Sequence, residues 1–153
     1  MHDEFDFERF VKETAKPVTA YCAAVTGSAD AEDAAQEAYI RLHANLWRIA
    51  NEQAAAAFLY RTAYRVSVDM LRTRRRYCEP ERQKTQNASL SGRMERALMR
   101  LKPLDRSVVY LRAVEEYEYA EIAARFGKNE AWVRKRWSLA RMRLEKFYLE
   151  EKE

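Results

Sequence analysis

The chain has 153 residues, enough for one ordinary domain or two very small ones. Apolar residues make up 48% and charged residues 34%, a balance that excludes an intrinsically disordered chain. The net charge is only +4, and no stretch approaches the roughly 18 apolar residues of a membrane span, so no membrane insertion is expected. The sequence starts with acidic residues and lacks the apolar run of a signal peptide. Its two cysteines, Cys22 and Cys78, do not have the spacing of a metal or redox site. Both observations predict a cytoplasmic protein with reduced thiols.

The first half predicts three helices. Apolar residues recur every three or four positions over residues 7–25, which is the pattern of an amphipathic helix. Pro17 predicts a kink or a restart within this helix, and Gly27 is expected to end it. Asp30 is placed to cap a second helix, and a third is predicted over about residues 54–74.

A polar segment separates the two halves. Residues 79–93 (EPERQKTQNASLSGR) contain a proline and a glycine and lack helical periodicity, which is typical of a flexible linker. The sequence therefore predicts an all-α protein of two small helical domains, residues 1–78 and 94–153, joined by this linker. Each half is so small that it would be only marginally stable alone.

The second half contains a predicted helix-turn-helix. After a helix that Asp105 is expected to cap, a short helix over residues 120–126 is followed by Gly127, which can adopt the left-handed conformation of the turn. Asn129 is placed to cap the next helix, and Val133 is expected to anchor that helix to the core. A short helix, a tight turn and a second helix are what major-groove binding requires.

The predicted exposed face of this last helix is cationic. It carries side chains that can bind phosphates or guanine edges: Arg134, Lys135, Arg136, Ser138, Arg141 and Arg143. The alternative is a surface helix that is merely rich in basic residues. The glycine turn and the cap independently favour nucleic-acid recognition.

Other features leave two interpretations open. Residues 72–76 are either a nucleic-acid contact or a solvated helix end near the negative pole of the helix dipole. Trp47, Phe58 and Tyr64 are either core residues or platforms for base stacking. The Gln36–Glu37 pair, taken alone, is ordinary for a solvated helix face.

Three segments together resemble the bacterial RNA polymerase sigma factors of the sigma-70 superfamily, extracytoplasmic-function (ECF) group. DAEDAAQEAYIRLHANLW resembles the family's D-x-E-D-x-x-Q-E helix, and FLYRTAYRVSVDMLRTRRR resembles its W-L-Y-R-I-A helix. LKPLDRSVVYLRAVEEYEYAEIAARFG resembles its L-P-x-x-x-R segment followed by Y-x-E-I-A. The order, the spacing and the polar linker agree over nearly the whole chain.

The resemblance implies a transcription initiation factor that binds core RNA polymerase and directs it to specific promoters. It assigns polymerase binding to Asp33, Gln36, Glu37 and Arg41. It assigns melting and recognition of the −10 element of promoter DNA, through a loop at 51–55 and the helix after it, to Asn51, Glu52, Gln53, Arg61, Arg65, Asp69 and Arg72. It assigns the −35 element to Arg134, Lys135, Arg136, Ser138 and Arg141. It also implies an anti-sigma protein as a further partner, and it implies no cofactor.

Two other functions stay open at this point. One is a stand-alone helix-turn-helix regulator with no role in polymerase recruitment, which leaves the Gln36–Glu37 face unexplained. The other is a helical protein-interaction adaptor. An enzyme is not predicted, because the sequence has no HExxH, no glycine-rich phosphate loop and no Ser/His/Asp set. His2 and His43 have no cysteine or carboxylate at metal-ligand spacing.

Overall fold

The computed structural model describes residues 5–77 and 92–152, and every regular element in these two ranges is helical. The α-helices of these ranges are α1 (Phe7–Thr26), α2 (Ala31–Ala44), α3 (Glu52–Tyr77), α4 (Gly92–Arg100), α5 (Pro103–Val109), α6 (Tyr119–Phe126) and α7 (Glu130–Glu150). A 3-10 turn lies at Leu46–Arg48, and a π-helical turn at Tyr110–Val114 extends α5. The predicted all-α class is confirmed.

The first helix has a defined beginning and end. The Asp6 carboxylate accepts a hydrogen bond from the Arg9 backbone N–H at 3.1 Å, which caps the first turn. α1 then continues through Pro17 to Thr26 as one element, so the chain does not restart at the proline. Gly27 ends the helix at a φ of 99°, a backbone conformation that glycine tolerates and other residues rarely adopt.

The starts of the next two helices differ from the prediction. Asp30 precedes α2, but its carboxylate makes no capping bond and lies 3.7 Å from Nε of Arg74. α3 begins at Glu52, because the Asn51 side chain accepts a hydrogen bond from the Ala54 N–H at 2.8 Å. The prediction of a loop at residues 51–55 is therefore wrong from Glu52 onwards, since those residues form the first turn of α3.

The first three helices pack against one another as a bundle. The α2 face that enters the bundle is lined by alanines, which let the helices approach closely: Ala31, Ala34, Ala35 and Ala38. Leu42 of α2 and Leu59 of α3 are fully buried among them. Truncating either leucine to alanine would cost about 2–5 kcal/mol, as for other well-packed core leucines.

The second half packs α4, α5 and α7 around a small cluster of its own. Leu101, Val109 and Ala140 are its buried members, and Trp137 covers them. α4 begins at Gly92, so the last two residues of the predicted linker are helical; residues 79–91 lie outside the described part of the chain. α5 begins at Pro103, so Asp105 lies inside its first turn and does not precede it as a cap.

The two halves also share the larger core. Leu111, Ile122 and Val133 from the second half are fully buried in the same cluster as Leu59 and Tyr60 from the first. α1 packs against α5, and α3 packs against α6. The two halves, here called the first and second modules, are therefore closed on one another.

Candidate nucleic-acid interface

The helix-turn-helix has the geometry that the sequence predicts. α6 ends at Gly127, whose φ of 65° and ψ of 35° are left-handed. The Asn129 side chain accepts a hydrogen bond from the Trp132 N–H at 2.8 Å and so caps α7. Val133 is fully buried and fixes α7 to the core. Glu118 precedes α6, and its backbone N–H donates to the carboxylate of Glu121 at 3.1 Å.

The outward face of α7 is cationic. Its exposed side chains include four of the five predicted for the −35 element: Arg134, Lys135, Ser138 and Arg141. Arg134 lies 3.7 Å from the carboxylate of Glu130 and its guanidinium lies 4.9 Å from the centre of the Tyr119 ring. Because both contacts are at the surface, Arg134 can exchange them for a phosphate at little cost.

Arg136, the fifth residue predicted for the −35 element, points towards α5 and not outwards. It is half-buried, and its guanidinium lies 3.7 Å from the carboxylate of Asp105 and 5.4 Å from the centre of the Trp132 ring. Arg143 donates to the same carboxylate at 2.9 Å. Asp105 is almost fully buried, so it ties α5 to α7. The sequence analysis missed this role, although a carboxylate within the apolar segment PLDRSVV was a signal for it.

An acidic and amide-bearing face lies on α2. Asp33, Gln36 and Arg41 are exposed and Glu37 is half-buried. Arg41 donates to Glu37 at 3.0 Å, which holds both side chains along the helix. Three of these residues (Asp33, Glu37, Arg41) line an open groove between α2 and α3. The structure thus brings together the side chains that the resemblance assigned to polymerase binding.

A polar stripe runs along α3 at intervals of four, four and three residues. Its members are Arg61, Arg65, Asp69 and Arg72. Arg65, Asp69 and Arg72 are exposed, and the Arg72 guanidinium lies 4.0 Å from the Asp69 carboxylate. The other three residues assigned to the −10 element, Asn51, Glu52 and Gln53, are exposed at the start of the same helix.

One buried arginine joins the two modules. Arg106 of α5 donates from Nε to the Ala24 carbonyl at 3.0 Å and from a terminal nitrogen to the Val25 carbonyl, both at the end of α1. Another terminal nitrogen donates to the Leu101 carbonyl at 2.5 Å within its own module. Since the guanidinium is only 1% exposed, these carbonyls replace the water that would otherwise solvate it.

Aromatic residues form the rest of the contact between the modules. Tyr60 of α3 donates to the Glu115 carboxylate at 3.0 Å, and burial raises the pKa of both groups. Tyr64 of α3 meets Phe126 of α6 edge to face at 5.7 Å between ring centres. Of the aromatic residues with two interpretations, Tyr64 thus belongs to the packed interface.

The same contact covers part of the α3 stripe. Arg61 lies beside Gly127, in the turn of the helix-turn-helix. If Gly127 carried a Cβ atom, that atom would be 3.9 Å from the Arg61 guanidinium. Arg125 lies 4.9 Å from the centre of the Tyr60 ring, which brings a second cation to the same place. A ligand that used the whole stripe would have to displace the second module.

These surfaces define what the molecule can bind. Two cationic surfaces, on α3 and α7, suit two segments of nucleic acid, and the acidic face of α2 suits a basic protein. Within residues 5–77 and 92–152, no group of three or more His, Cys, Asp or Glu side chains is placed to hold a metal ion. None of the helices in these ranges combines the length and the apolar character needed to cross a membrane.

Comparison with known proteins finds a counterpart for each module. The family described as Sigma-70 region 2 matches residues 10–77, and the family described as Sigma-70, region 4 matches residues 91–144. A solved structure of the sigma factor RpoE in complex with the anti-sigma factor NepR from Bartonella quintana is 20% identical, with a TM-score of 0.74. The similarity covers 96% of this chain and 99% of that one, and it shows a shared fold. No curated protein matches the chain.

Proposed function

We propose that the chain, which belongs to the sigma-70 family, is an ECF-type sigma factor whose surfaces direct RNA polymerase to promoters. A sigma factor binds core RNA polymerase and promoter DNA. The observation that carries the proposal is the order of the two matched regions along one chain, each with the surface its role requires. A stand-alone regulator would need only the second module, and an adaptor would need no cationic recognition helix.

The first module docks on polymerase through the α2 face. Asp33, Gln36, Glu37 and Arg41 supply carboxylates, an amide and one cation along a single helix. Such a surface is complementary to a basic partner, which increases the rate of encounter and fixes the orientation of the complex. By resemblance to the family, the partner of this face is the coiled coil of the largest polymerase subunit.

The two cationic surfaces bind the two promoter elements. Opening DNA costs about 1.4 kcal/mol for each base step that unstacks. Arg61, Arg65 and Arg72 on α3 can offset part of that cost by holding the backbone of the separated strand. On α7, Arg134, Lys135, Ser138 and Arg141 are free to enter the major groove of the −35 element. Arg136 can contribute there only by giving up Asp105.

The modules separate when promoter DNA binds. The −10 and −35 elements lie about 25 base pairs apart, or about 85 Å at 3.4 Å per base pair. A compact chain of this length has a radius of gyration of only about 15 Å. The closed arrangement cannot reach both elements, so binding must break the contacts of Arg106, Tyr60 and Tyr64 between the modules.

Membership of the sigma-70 family also indicates the partners of this chain and where in the cell it acts. Sigma factors as a class are not enzymes, and the proposed role of this chain is to bind and position. It acts where the polymerase is, in the cytoplasm. The structural relative was solved with an anti-sigma factor, and a protein of that class would inhibit this chain if it held the two modules closed.

The docking surface can be tested by reversing one charge. Glu37→Lys places a cation in the acidic face and should reduce co-elution with core polymerase about tenfold, which corresponds to about 1.4 kcal/mol. Glu8→Lys makes the same change on exposed α1 and should leave co-elution unchanged. Circular dichroism of both variants serves to check that they remain folded. Normal co-elution of the Glu37→Lys chain would remove the α2 face from the proposal.

A further inference from the structure

A buried carboxylate on α5 lies against two arginines of α7. Asp105 is only 1% exposed, and its Oδ2 accepts a hydrogen bond from Nη1 of Arg143 at 2.9 Å. Nη1 of Arg136 lies 3.7 Å from Oδ1 of the same carboxylate. A carboxylate that water cannot reach needs cations or hydrogen-bond donors close by, so Asp105 draws both guanidinium groups towards α5.

The two arginines are held with different strengths. Arg143 pairs with Asp105 and also donates a hydrogen bond to it. Arg136 is held through charge alone, because Oδ1 accepts no hydrogen bond from any residue that the structure describes. The side chains of Arg136 and Arg143 are still 32% and 46% exposed, so either can turn to solvent without crossing the core. Of the two, Arg136 is the more easily released.

Both arginines stand at one edge of the outward face of α7. Arg136 and Arg143 are seven residues apart, so they share that edge. Arg134 and Arg141 are also seven apart and share the opposite edge. A duplex whose major groove holds this face presents a strand of phosphates along each edge. The arginines that bind the α5 carboxylate are therefore near phosphates that would compete for them.

We propose that Asp105 is a positioning residue that withholds Arg136 and Arg143 from DNA phosphates, and so keeps the sequence-independent affinity of α7 for DNA low. The inference rests on the proposed function, in which α7 binds promoter DNA. Phosphates carry no sequence, so each arginine that binds one increases the affinity for every duplex alike. Asp105 takes the place of those phosphates within the folded chain.

A low sequence-independent affinity suits a chain that binds DNA at two places. Two modules that act in one polymerase complex gain affinity through effective concentration, so each module can bind weakly. The genome offers a vast excess of competing sites, and a module that binds phosphates weakly leaves them quickly. With Asp105 in place, the contacts of α7 come mainly from the outward face that reads base edges.

The sign of the effect separates this role from a purely structural one. Without the Asp105 charge, two cations are released beside the groove, so binding to any duplex becomes tighter and more dependent on salt. If Asp105 only fastened α5 to α7, its loss would loosen the recognition helix and weaken binding to every duplex. The two roles therefore predict changes in opposite directions.

The test measures how salt affects the binding of the full chain to a short duplex of unrelated sequence. Fluorescence anisotropy gives the affinity between about 50 and 200 mM salt. Asp105→Asn should bind about tenfold more tightly than wild type at the lowest salt concentration. Its plot of log affinity against log salt concentration should be steeper by about one to two, since each phosphate contact adds about 0.9. Adding Arg136→Ala to this variant should remove about one unit of that gain.

Two controls separate released arginines from other effects. Glu8→Gln removes one negative charge from exposed α1 and should change the affinity by less than about twofold. Arg134→Ala removes a cation from the outward face and should make the slope shallower by about one, whereas Arg136→Ala alone should leave it unchanged. This comparison needs no Asp105 variant, so it tests the inference even if Asp105→Asn fails to fold.

Three results would overturn the inference. The first is equal or weaker binding by an Asp105→Asn chain that circular dichroism shows to be folded, and the second is an equal gain in Glu8→Gln. The third is a loss of slope in Arg136→Ala as large as in Arg134→Ala, because Arg136 would then already bind phosphate in wild type. None of these measurements needs a promoter. A wild-type chain that gives core polymerase no defined start site would instead overturn the proposed function.

Discussion

Glu116 has a φ of 57°, in the left-handed region that residues with a Cβ atom rarely occupy. It follows the π-helical turn that extends α5, and the Tyr117 N–H beyond it donates back to the Leu111 carbonyl at 3.0 Å. The position is the one that glycine most often fills after a helix. The backbone strain at Glu116 therefore lowers the stability of the fold, and it allows the chain to turn from α5 into the helix-turn-helix.

Replacing Glu116 with glycine should relieve this strain. A left-handed conformation costs a non-glycine residue roughly 1–2 kcal/mol, and the greater flexibility of unfolded glycine offsets part of the gain. We expect Glu116→Gly to raise the free energy of unfolding by about 0.5–1 kcal/mol, measured by urea denaturation. Glu116→Ala removes the same carboxylate and keeps the strain, so an equal gain in that variant would show that charge, not backbone, is responsible.

At the scale of single residues, the sequence predicted local conformations better than long-range partners. Gly127 and Asn129 take their predicted places, because a left-handed turn and a helix cap depend on residues close in sequence. Asp105 does not cap a helix as predicted, because it binds Arg136 and Arg143, which are more than thirty residues away in sequence. The apolar residues around Asp105 indicate that it is buried, but they do not indicate which arginines it binds.

At the scale of the element, α7 serves packing and recognition with opposite faces. Val133 and Ala140 are fully buried, and Arg134 and Arg141, one residue after each, are exposed. Helical periodicity predicted this division, because positions seven apart lie on one face. Periodicity did not predict that Arg136, beside the boundary, would bind Asp105.

Arg141 tests the recognition face. Arg141→Ala should weaken binding of the chain to its upstream promoter element by about 1–3 kcal/mol if the contact is to a base. Lys146→Ala, exposed further along α7, is the matched loss of a positive charge and should have a smaller effect. Titration of the duplex by fluorescence anisotropy at two salt concentrations measures both. An unchanged affinity in Arg141→Ala would remove that residue from the recognition surface.

At the scale of the whole molecule, the sequence predicted two helical modules but not that they share a core. The linker composition indicates that the modules are tethered, and tethering is compatible with open and closed arrangements alike. The contacts that hold the two modules together join residues more than fifty positions apart in sequence. Examples are the hydrogen bonds between Tyr21 and Ser107 and between Tyr60 and Glu115. Such pairs leave no periodic signature, so only the structure shows them.

Glu115 makes the closed arrangement sensitive to pH. Burial raises its pKa above the ordinary value of 4.5, although hydrogen bonds from tyrosines oppose the shift. The folded chain therefore keeps this proton at a pH where the unfolded chain has lost it. The contribution of Glu115 to stability is complete below pH 4.5 and is lost as the pH rises through the raised pKa.

Glu115→Gln removes the titrating group and retains an oxygen that can accept from Tyr60. The stability of this variant relative to wild type should increase as the pH is raised from 4.5 towards 7, because only wild type must ionise a buried carboxyl. Urea denaturation of both chains across that range measures the difference. A difference that stays constant with pH would mean that Glu115 titrates alike in the folded and unfolded chains.

The most direct test of the account is whether the purified chain gives core RNA polymerase promoter specificity. Core polymerase is incubated with genomic fragments, with and without the chain, and the 5′ ends of the transcripts are mapped. We expect initiation at a small set of defined positions that share sequence at −10 and −35, only when the chain is present. Transcripts whose ends are the same with and without the chain would contradict its assignment as an initiation factor.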